Sequence, residues 1–240
     1  MTSPSSSSLA FAPPSARIPL ILRNLGRGFR RPVHAVKRSP LDSLIATVLS
    51  QNTTDANSGR AFRHLKARFP DWQEAAKART RQIAAAIRSG GLADIKAARI
   101  KRILGRIEKD RGRLDLSFLQ HLTIEQARSY LVGLPGVGPK TAACVLLFSL
   151  DKPVFPVDTH VLRVSKRLGL IPPKTTMERA HDIFAALVRP KQTLPLHLGL
   201  VRHGRQVCLA RRPRCPICTI SDLCPRIGVV SYPVSAKQAK

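Results

Sequence analysis

The amino-acid sequence predicts an all-α protein. From residue 40 onward, apolar residues recur with helical spacing, and no alternating strand pair joined by a hairpin turn is evident. The 19 prolines lie mostly at the borders of the apolar stretches, which predicts many short helices with tight connections. With 240 residues, 43% of them hydrophobic, the chain can form one large domain or two small ones with a real core.

The predicted helices are marked by the residues at their ends. N-cap residues or capping-box spacing precede the apolar stretches at Ser39-Pro40, Thr80, Thr123-x-x-Gln126 and Thr175-x-x-Glu178. Glycines follow two of the stretches, at Gly90-Gly91 and Gly169. Residues 1–16 are rich in Ser, Pro and Ala, which predicts a disordered N-terminal tail, and residues 227–240 are expected to form a C-terminal tail.

The charge balance points to a polyanionic partner. The chain has 41 Lys and Arg against 14 Asp and Glu, a formal net charge of +27. Such a surface binds nucleic acid or an anionic membrane. The longest uncharged apolar stretch, residues 142–150, is far shorter than the roughly 20 residues of a membrane-spanning helix. The sequence therefore predicts that no helix of this chain spans a membrane.

A glycine-rich segment, Leu134-Pro-Gly-Val-Gly-Pro-Lys-Thr-Ala142, lies between two helical stretches. Gly136 and Gly138 permit a sharp turn and close approach of a ligand to the backbone. The helix that begins near Pro139 presents free N–H groups that suit a phosphate, although a plain helix–helix turn is the alternative. Lys140, in the first helical turn, is either a nucleophile that forms a Schiff base with a sugar carbon or a lysine that contacts phosphate or solvent.

A second motif, Val157-Asp158-Thr159-His160, precedes the next apolar helix. Asp158 is placed as its N-cap, and a carboxylate there can also stabilise positive charge that develops on a sugar. His160 is expected to be a buried, hydrogen-bonded histidine rather than a proton carrier.

The third motif is a compact group of cysteines, and its members are Cys208, Cys215, Cys218 and Cys224. Four thiolates within 17 residues can enclose either zinc or a [4Fe–4S] cluster, and the spacing alone leaves both open. Clustered cysteines indicate a reducing compartment rather than a disulfide framework. The intervening loop is predicted to clamp phosphate rather than to be a solvated charge run, through Arg211, Arg212 and Arg214.

Taken together, the three motifs resemble the endonuclease III family of base-excision DNA glycosylases, over roughly residues 40 to 226. The glycine-rich segment resembles its helix–hairpin–helix, the VDTH segment its catalytic-aspartate motif, and the cysteine run its iron–sulfur loop. The resemblance implies a two-domain helical fold with a DNA cleft between the domains. A six-helix domain with the hairpin would span 33–152, and a cluster domain would combine 17–32 with 153–226.

The resemblance also implies a function. The protein is expected to be a monomeric, cytoplasmic and nucleoid-associated DNA glycosylase/AP lyase that removes oxidised pyrimidines, first of all thymine glycol, from damaged double-stranded DNA. Lys140 would attack the sugar, Asp158 would assist, and the four cysteines would hold [4Fe–4S]. Two alternatives remain: a monofunctional mismatch or uracil glycosylase, and a non-catalytic helix–hairpin–helix DNA-binding protein with zinc. A Ser-rich organelle-targeting segment is a less favoured interpretation of the N-terminus.

The predicted lesion-reading residues depart from the family pattern. Asn52 occupies the position where the family often has a glutamine that fills the gap left by the flipped base, and Gln51 lies one residue earlier. Leu92 matches a wedge residue, but the Tyr-Asn pair common beside it is absent. The activity class is therefore better founded than the lesion preference. With the hairpin glycines and loop arginines, Gln51, Asn52 and Leu92 complete the predicted DNA-binding set.

Overall fold

The computed structural model describes residues 10–27 and 38–230, and within them it contains helices and no strand, which confirms the all-α prediction. The helices, in chain order, are α1 (Pro14–Arg27), α2 (Pro40–Leu49), α3 (Asp55–Arg68), α4 (Trp72–Lys77), α5 (Thr80–Ala86), α6 (Ala93–Arg111), α7 (Ile124–Val132), α8 (Pro139–Leu150), α9 (Thr159–Arg167), α10 (Met177–Leu187) and α11 (Pro190–Gln206). Short 3-10 turns occur at Arg88–Gly90, Ser117–His121, Cys215–Ile217 and Ser221–Leu223.

The chain forms two compact units. The hairpin unit is His34–Pro156, and the cysteine unit combines Met1–Val33 with Val157–Lys240. Most of the expected N-terminal tail, residues 1–9, and residues 231–240 of the C-terminal tail lie outside the described residues. Residues 14–16, however, were expected to be disordered and are helical, because α1 begins at Pro14 and buries Ile18, Ile21 and Leu25.

Helix α8 forms the centre of the hairpin unit. Nine of its 12 residues are buried, and α2 packs along it while α7 packs beside it. A helix that is apolar on all sides needs neighbours on all sides. The first turn of α8, where Lys140 lies, is therefore the end of a rigid, well-packed element.

Two helices of the cysteine unit, α9 and α11, cross closely at a glycine. A Cβ at Gly204 would lie 2.9 Å from Cβ of His160 and 3.2 Å from Cγ2 of Val164. Helix α1 packs on α11, and the guanidinium of the buried Arg17 donates to the carbonyls of Leu168 (2.5 Å) and Gly169 (2.8 Å). The turn after α9 is thus fixed by the N-terminal helix.

The N-cap residues observed in the structure can be compared with the predicted ones. Ser39 Oγ accepts from the Asp42 N–H, and Thr123 forms its capping box with Gln126, as predicted. The prediction at Thr175 was wrong by one residue. Thr175 donates its N–H to the carbonyl of Pro172 in a turn, and Thr176 caps α10 instead. Helix α5 begins at Thr80 itself, one residue earlier than predicted.

None of the described helices is long and apolar enough to cross a bilayer.

Candidate active site and nucleic-acid interface

The hairpin between α7 and α8 has one buried side and one open side. Leu134 and Val137 are buried, so they anchor the turn in the core. Gly136 has φ +73°, a left-handed conformation that favours glycine, whereas Gly138 has nothing within 4 Å of where a Cβ would be. The backbone at Gly138 is therefore open to a close ligand.

The first turn of α8 is suited to an anion. Gly138 is the N-cap of α8, and it offers no side chain to the first amides of the helix. Pro139 follows at the first helical position, where its fixed φ fits the helix. Uncapped amides and the positive end of the helix dipole together favour a phosphate. Lys140 is half-buried in this same turn.

Asp158 is the N-cap of α9, as predicted. Its Oδ1 accepts from the Val161 N–H at 2.8 Å, and its backbone is extended, with φ −111° and ψ −178°. The side chain is half-buried. The bond fixes the carboxylate at the N-terminus of α9, beside the positive end of the helix dipole.

His160 is half-buried on the first turn of α9, and its Nδ1 lies 3.2 Å from Nη2 of Arg163. Burial lowers the pKa of His160, although the charge of Asp158 acts in the opposite direction. A neutral ring with Nδ1 as acceptor from the guanidinium is consistent with both observations. The histidine is hydrogen-bonded, as expected, but it is half-buried rather than buried.

The Gln51–Asn52 turn follows α2 directly. Asn52 is exposed and has φ +53°, a left-handed conformation that asparagine tolerates better than most residues. Gln51 is half-buried, accepts a hydrogen bond from Nη1 of Arg99, and donates from Nε2 to Oγ1 of Thr141 at 3.4 Å. The two neighbours therefore differ: the asparagine faces solvent and the glutamine is held by the protein.

Leu92, the predicted wedge, is 52% exposed with φ +51°, and the neighbouring Ile95 is 57% exposed. The loop that carries Leu92 is tied to the end of α2 by Lys96, whose Nζ donates to the carbonyls of Leu49 and Gly90, both at 2.8 Å. Burial lowers the pKa of Lys96, and Arg99 adds to the effect. Ile95 was missed by the sequence reasoning, although an apolar residue three positions after a wedge leucine is a readable signal.

The four motif cysteines line one apolar cavity, together with residues that include Val164, Leu168 and His203. Burial raises the pKa of the Cys218 thiol to about 11 and also raises that of Cys224. Thiols in such surroundings give up their protons readily only to a bound metal centre. No three His, Cys, Asp or Glu side chains in the described part of the chain are arranged to bind a single metal ion.

N–H groups point at two of the sulfur atoms. Arg167 Nη1 donates to Sγ of Cys208 at 3.3 Å, and the Arg226 amide donates to Sγ of Cys224 at 3.4 Å. Such donors stabilise negative charge on sulfur. Four thiols line one apolar cavity and two of them accept from N–H donors, so the donor types suit a metal centre, although no three side chains in the described part of the chain are arranged around a single ion.

Two arginines of α9 hold the start of the cysteine loop. Arg163 donates to the carbonyls of Gly204 (2.8 Å) and Cys208 (3.1 and 3.2 Å). Arg167 donates to the carbonyls of Leu209 (2.7 Å) and Ala210 (2.8 Å). Sequence reasoning missed both, although their spacing of four residues on one helix face was a signal. The predicted clamp residues Arg211, Arg212 and Arg214 are all exposed.

The hairpin unit thus has an uncapped helix N-terminus with a lysine, and the cysteine unit has a capping aspartate and a four-cysteine loop. These are the features that the resemblance of the three sequence motifs to the endonuclease III family implied. Residues 45–190 match the sequence model of the HhH-GPD superfamily base excision DNA repair proteins. This chain belongs to that superfamily.

Individual relatives narrow the assignment. A protein of Arabidopsis thaliana provisionally named a DNA glycosylase is 40% identical, over 80% of this chain and 67% of its own length. Endonuclease III of Thermotoga maritima is 35% identical, over 81% of this chain and 87% of its own length. A solved structure described as a trapped endonuclease III–DNA covalent intermediate superposes with a TM-score of 0.74 at 29% identity, covering 88% of this chain and 96% of that one.

These matches confirm the family that the three motifs indicated. The protein is an endonuclease III-like DNA glycosylase of base excision repair. The roles of its individual residues stay predictions, which are developed next.

Proposed function

We propose that this protein is a bifunctional DNA glycosylase and AP lyase, which acts as a monomer on double-stranded DNA. Oxidised pyrimidines are the proposed substrates, with thymine glycol first. The observation that carries the proposal is Lys140 in the uncapped first turn of α8, directly after an open glycine hairpin. A related endonuclease III has been trapped covalently on DNA, which supports a nucleophile of this kind in the family.

Binding precedes chemistry. The glycosidic bond of a base inside a duplex is out of reach, so the damaged nucleotide must rotate out of the stack. The α8 N-terminus would hold one phosphate, because its first amides have no side-chain cap and Gly138 leaves room for close approach. The exposed Asn52 and Leu92 would occupy the space that the base vacates.

The first chemical step replaces one bond at the sugar. The Nζ lone pair of Lys140 attacks C1′ while the C1′–N bond to the base breaks, and the departing base keeps the electron pair and takes up a proton. After the attached amine loses a proton, its lone pair forms the C=N bond while the C1′–O4′ bond breaks, and O4′ takes up a proton. The sugar ring is then open, and Nζ and C1′ share a protonated Schiff base. Replacing a difficult hydrolysis with two easier steps is the advantage of covalent catalysis.

The second step breaks the strand. The protonated Schiff base acidifies the C2′ hydrogen, and loss of that proton expels the 3′ phosphate by β-elimination. Water then attacks the imine carbon, which releases Lys140 and leaves an unsaturated aldehyde on the upstream fragment. The net reaction frees one base and makes one strand break.

Asp158 would supply negative charge near the reacting sugar. Its carboxylate is held by the Val161 N–H at the N-terminus of α9, so no reorganisation is needed when positive charge develops. A fixed opposite charge of this kind stabilises a transition state better than water does.

The cysteine loop would hold the cofactor. Cys208, Cys215, Cys218 and Cys224 line one cavity, and their four thiolates would hold a [4Fe–4S] cluster there. When bound, such a cluster would cross-link the loop and so fix the arginines it carries; none of the steps above uses it. We expect purified protein to contain about four iron and four sulfide per chain. Stoichiometric zinc without iron would contradict the cluster assignment.

The products distinguish the proposal from its alternatives. On duplexes with a single thymine glycol, we expect base release and strand breaks in equal amounts without alkali. Breaks that appear only after alkali would identify a monofunctional glycosylase. Tight duplex binding with no released base from any of thymine glycol, dihydrouracil, uracil or a mismatch would contradict the glycosylase substrate proposed here.

A further inference from the structure

Arg99 on α6 contacts two segments that are proposed to face DNA. Its Nη1 donates to Oε1 of Gln51, in the turn that presents Asn52. Its stem lies against the hairpin, where a Cβ on Gly136 would be 2.6 Å from its Nε and 2.9 Å from its Cδ. All of these residues belong to the hairpin unit.

The contacts continue to the helix of the proposed nucleophile. Nε2 of Gln51 donates to Oγ1 of Thr141 at 3.4 Å, and Thr141 is buried on α8 directly after Lys140. Gly136, Arg99, Gln51 and Thr141 therefore form one connected series. It joins the hairpin, the Gln51–Asn52 turn and the start of α8.

The same contacts give Gln51 an internal role. Both ends of its side-chain amide have protein partners, so filling a base gap with this residue would break two hydrogen bonds. Asn52 is exposed beside it and has a left-handed backbone, with φ +53°. The geometry favours Asn52, not Gln51, as the residue that enters the duplex.

Arg99 itself is not arranged as a simple phosphate contact. Its side chain is half-buried, and its Nε is buried without a hydrogen-bond partner in the described part of the chain. A buried N–H without a partner costs free energy on folding, and an arginine that faced solvent would not have this cost. The cost fits a side chain placed for its contacts with Gln51 and the hairpin.

We propose that Arg99 is a positioning residue whose bond to Gln51 locks the Asn52 turn against the hairpin. The inference rests on the proposed glycosylase/lyase function. Base excision requires the gap to be filled while the lesion is flipped out, whereas cleavage at a preformed abasic site has no base to extrude. Loss of the lock therefore slows base release more than abasic-site cleavage.

The test compares these two rates in single turnovers at saturating enzyme. Arg99→Met and Gln51→Ala each remove the lock, and we expect each to slow base release by about tenfold or more and abasic cleavage by less than about threefold. The double variant should release the base no more slowly than the slower of the two single variants, because both substitutions remove the same interaction. Gln51→Glu, which keeps an acceptor for Arg99, should recover most of the rate lost in Gln51→Ala.

Arg102→Met is the matched control, because it removes the same charge from an exposed position on α6. We expect both of its rates to be close to wild type. Equal slowing of base release and abasic cleavage in Arg99→Met would overturn the proposal in favour of general destabilisation. Additive slowing of base release in the double variant would also overturn it. So would weaker DNA binding in Arg99→Met together with a normal rate of base release in Gln51→Ala. If wild type fails to cleave abasic DNA, the lyase proposal fails, while the base-release comparison still decides the role of Arg99.

Discussion

Asp158 satisfies a backbone requirement of α9 and also carries the charge that the proposed chemistry uses. The cap bond needs only an oxygen acceptor, and Asn or Ser supplies one nearly as well as Asp. The negative charge, in contrast, belongs to Asp alone. The two roles can therefore be separated by substitution.

We expect Asp158→Asn and Asp158→Ser to keep the melting temperature within a few degrees of wild type, because the cap is retained and a lost cap costs only about 1 kcal/mol. Base release should slow by about 10²-fold or more, since a fixed charge at the reacting sugar is lost. Single-turnover excision and thermal unfolding measure the two effects. Normal excision with a lower melting temperature would limit Asp158 to its capping role.

Single residues also show what could be predicted from sequence. Asp158, Ser39 and Thr123 were identifiable because each bonds an amide three residues further on, inside a local motif. Arg99 was not identifiable, because its partner Gln51 is 48 residues away in sequence. Such contacts depend on how α6 packs in the core, and helical periodicity does not specify that packing.

At the scale of elements, the Thr175-Thr176 pair shows the limit of capping rules. Either threonine can cap a helix, and Glu178 gave Thr175 the better capping-box spacing. The Thr175 N–H donates to the Pro172 carbonyl and closes a turn that keeps Thr175 outside α10, so Thr176 is the N-cap. The capping pattern predicted that a helix begins here, whereas the contact of Thr175 with Pro172 fixed the residue at which it begins.

The arginines in and around the cysteine loop form two groups. Arg163 and Arg167 point inward from α9 and bind loop carbonyls, so they shape the loop. Arg211, Arg212 and Arg214 lie on the loop itself and are exposed. Because the second group is exposed, it can meet a ligand without disturbing the fold, and we expect that ligand to be DNA phosphate.

We expect alanine at each of Arg211, Arg212 and Arg214 to lower the slope of log K against log salt concentration by about 1 for every true phosphate contact. The loss of affinity should be similar for damaged and undamaged duplexes, because phosphate contacts carry no sequence information. Fluorescence anisotropy at several salt concentrations measures the slope. A triple variant with an unchanged slope would show that these arginines are merely solvated.

For the whole molecule, the formal charge of +27 indicated a polyanionic partner before any motif was considered. The order of three motifs along the chain then narrowed the partner to DNA, and membership of the HhH-GPD superfamily agrees with both. The class of activity was therefore predictable from sequence. The internal hydrogen bonds of Gln51 could not be predicted from sequence, because they depend on how the helices pack.

The central claim is that Lys140 forms a covalent Schiff base with the damaged sugar. Borohydride reduction during reaction with thymine glycol or abasic duplexes tests it directly, because reduction makes the imine permanent. We expect a stable protein–DNA adduct from wild type and none from Lys140→Gln, which should still bind duplex within a few-fold of wild type. Base release by wild type without any adduct, or an undiminished adduct from Lys140→Gln, would contradict the account.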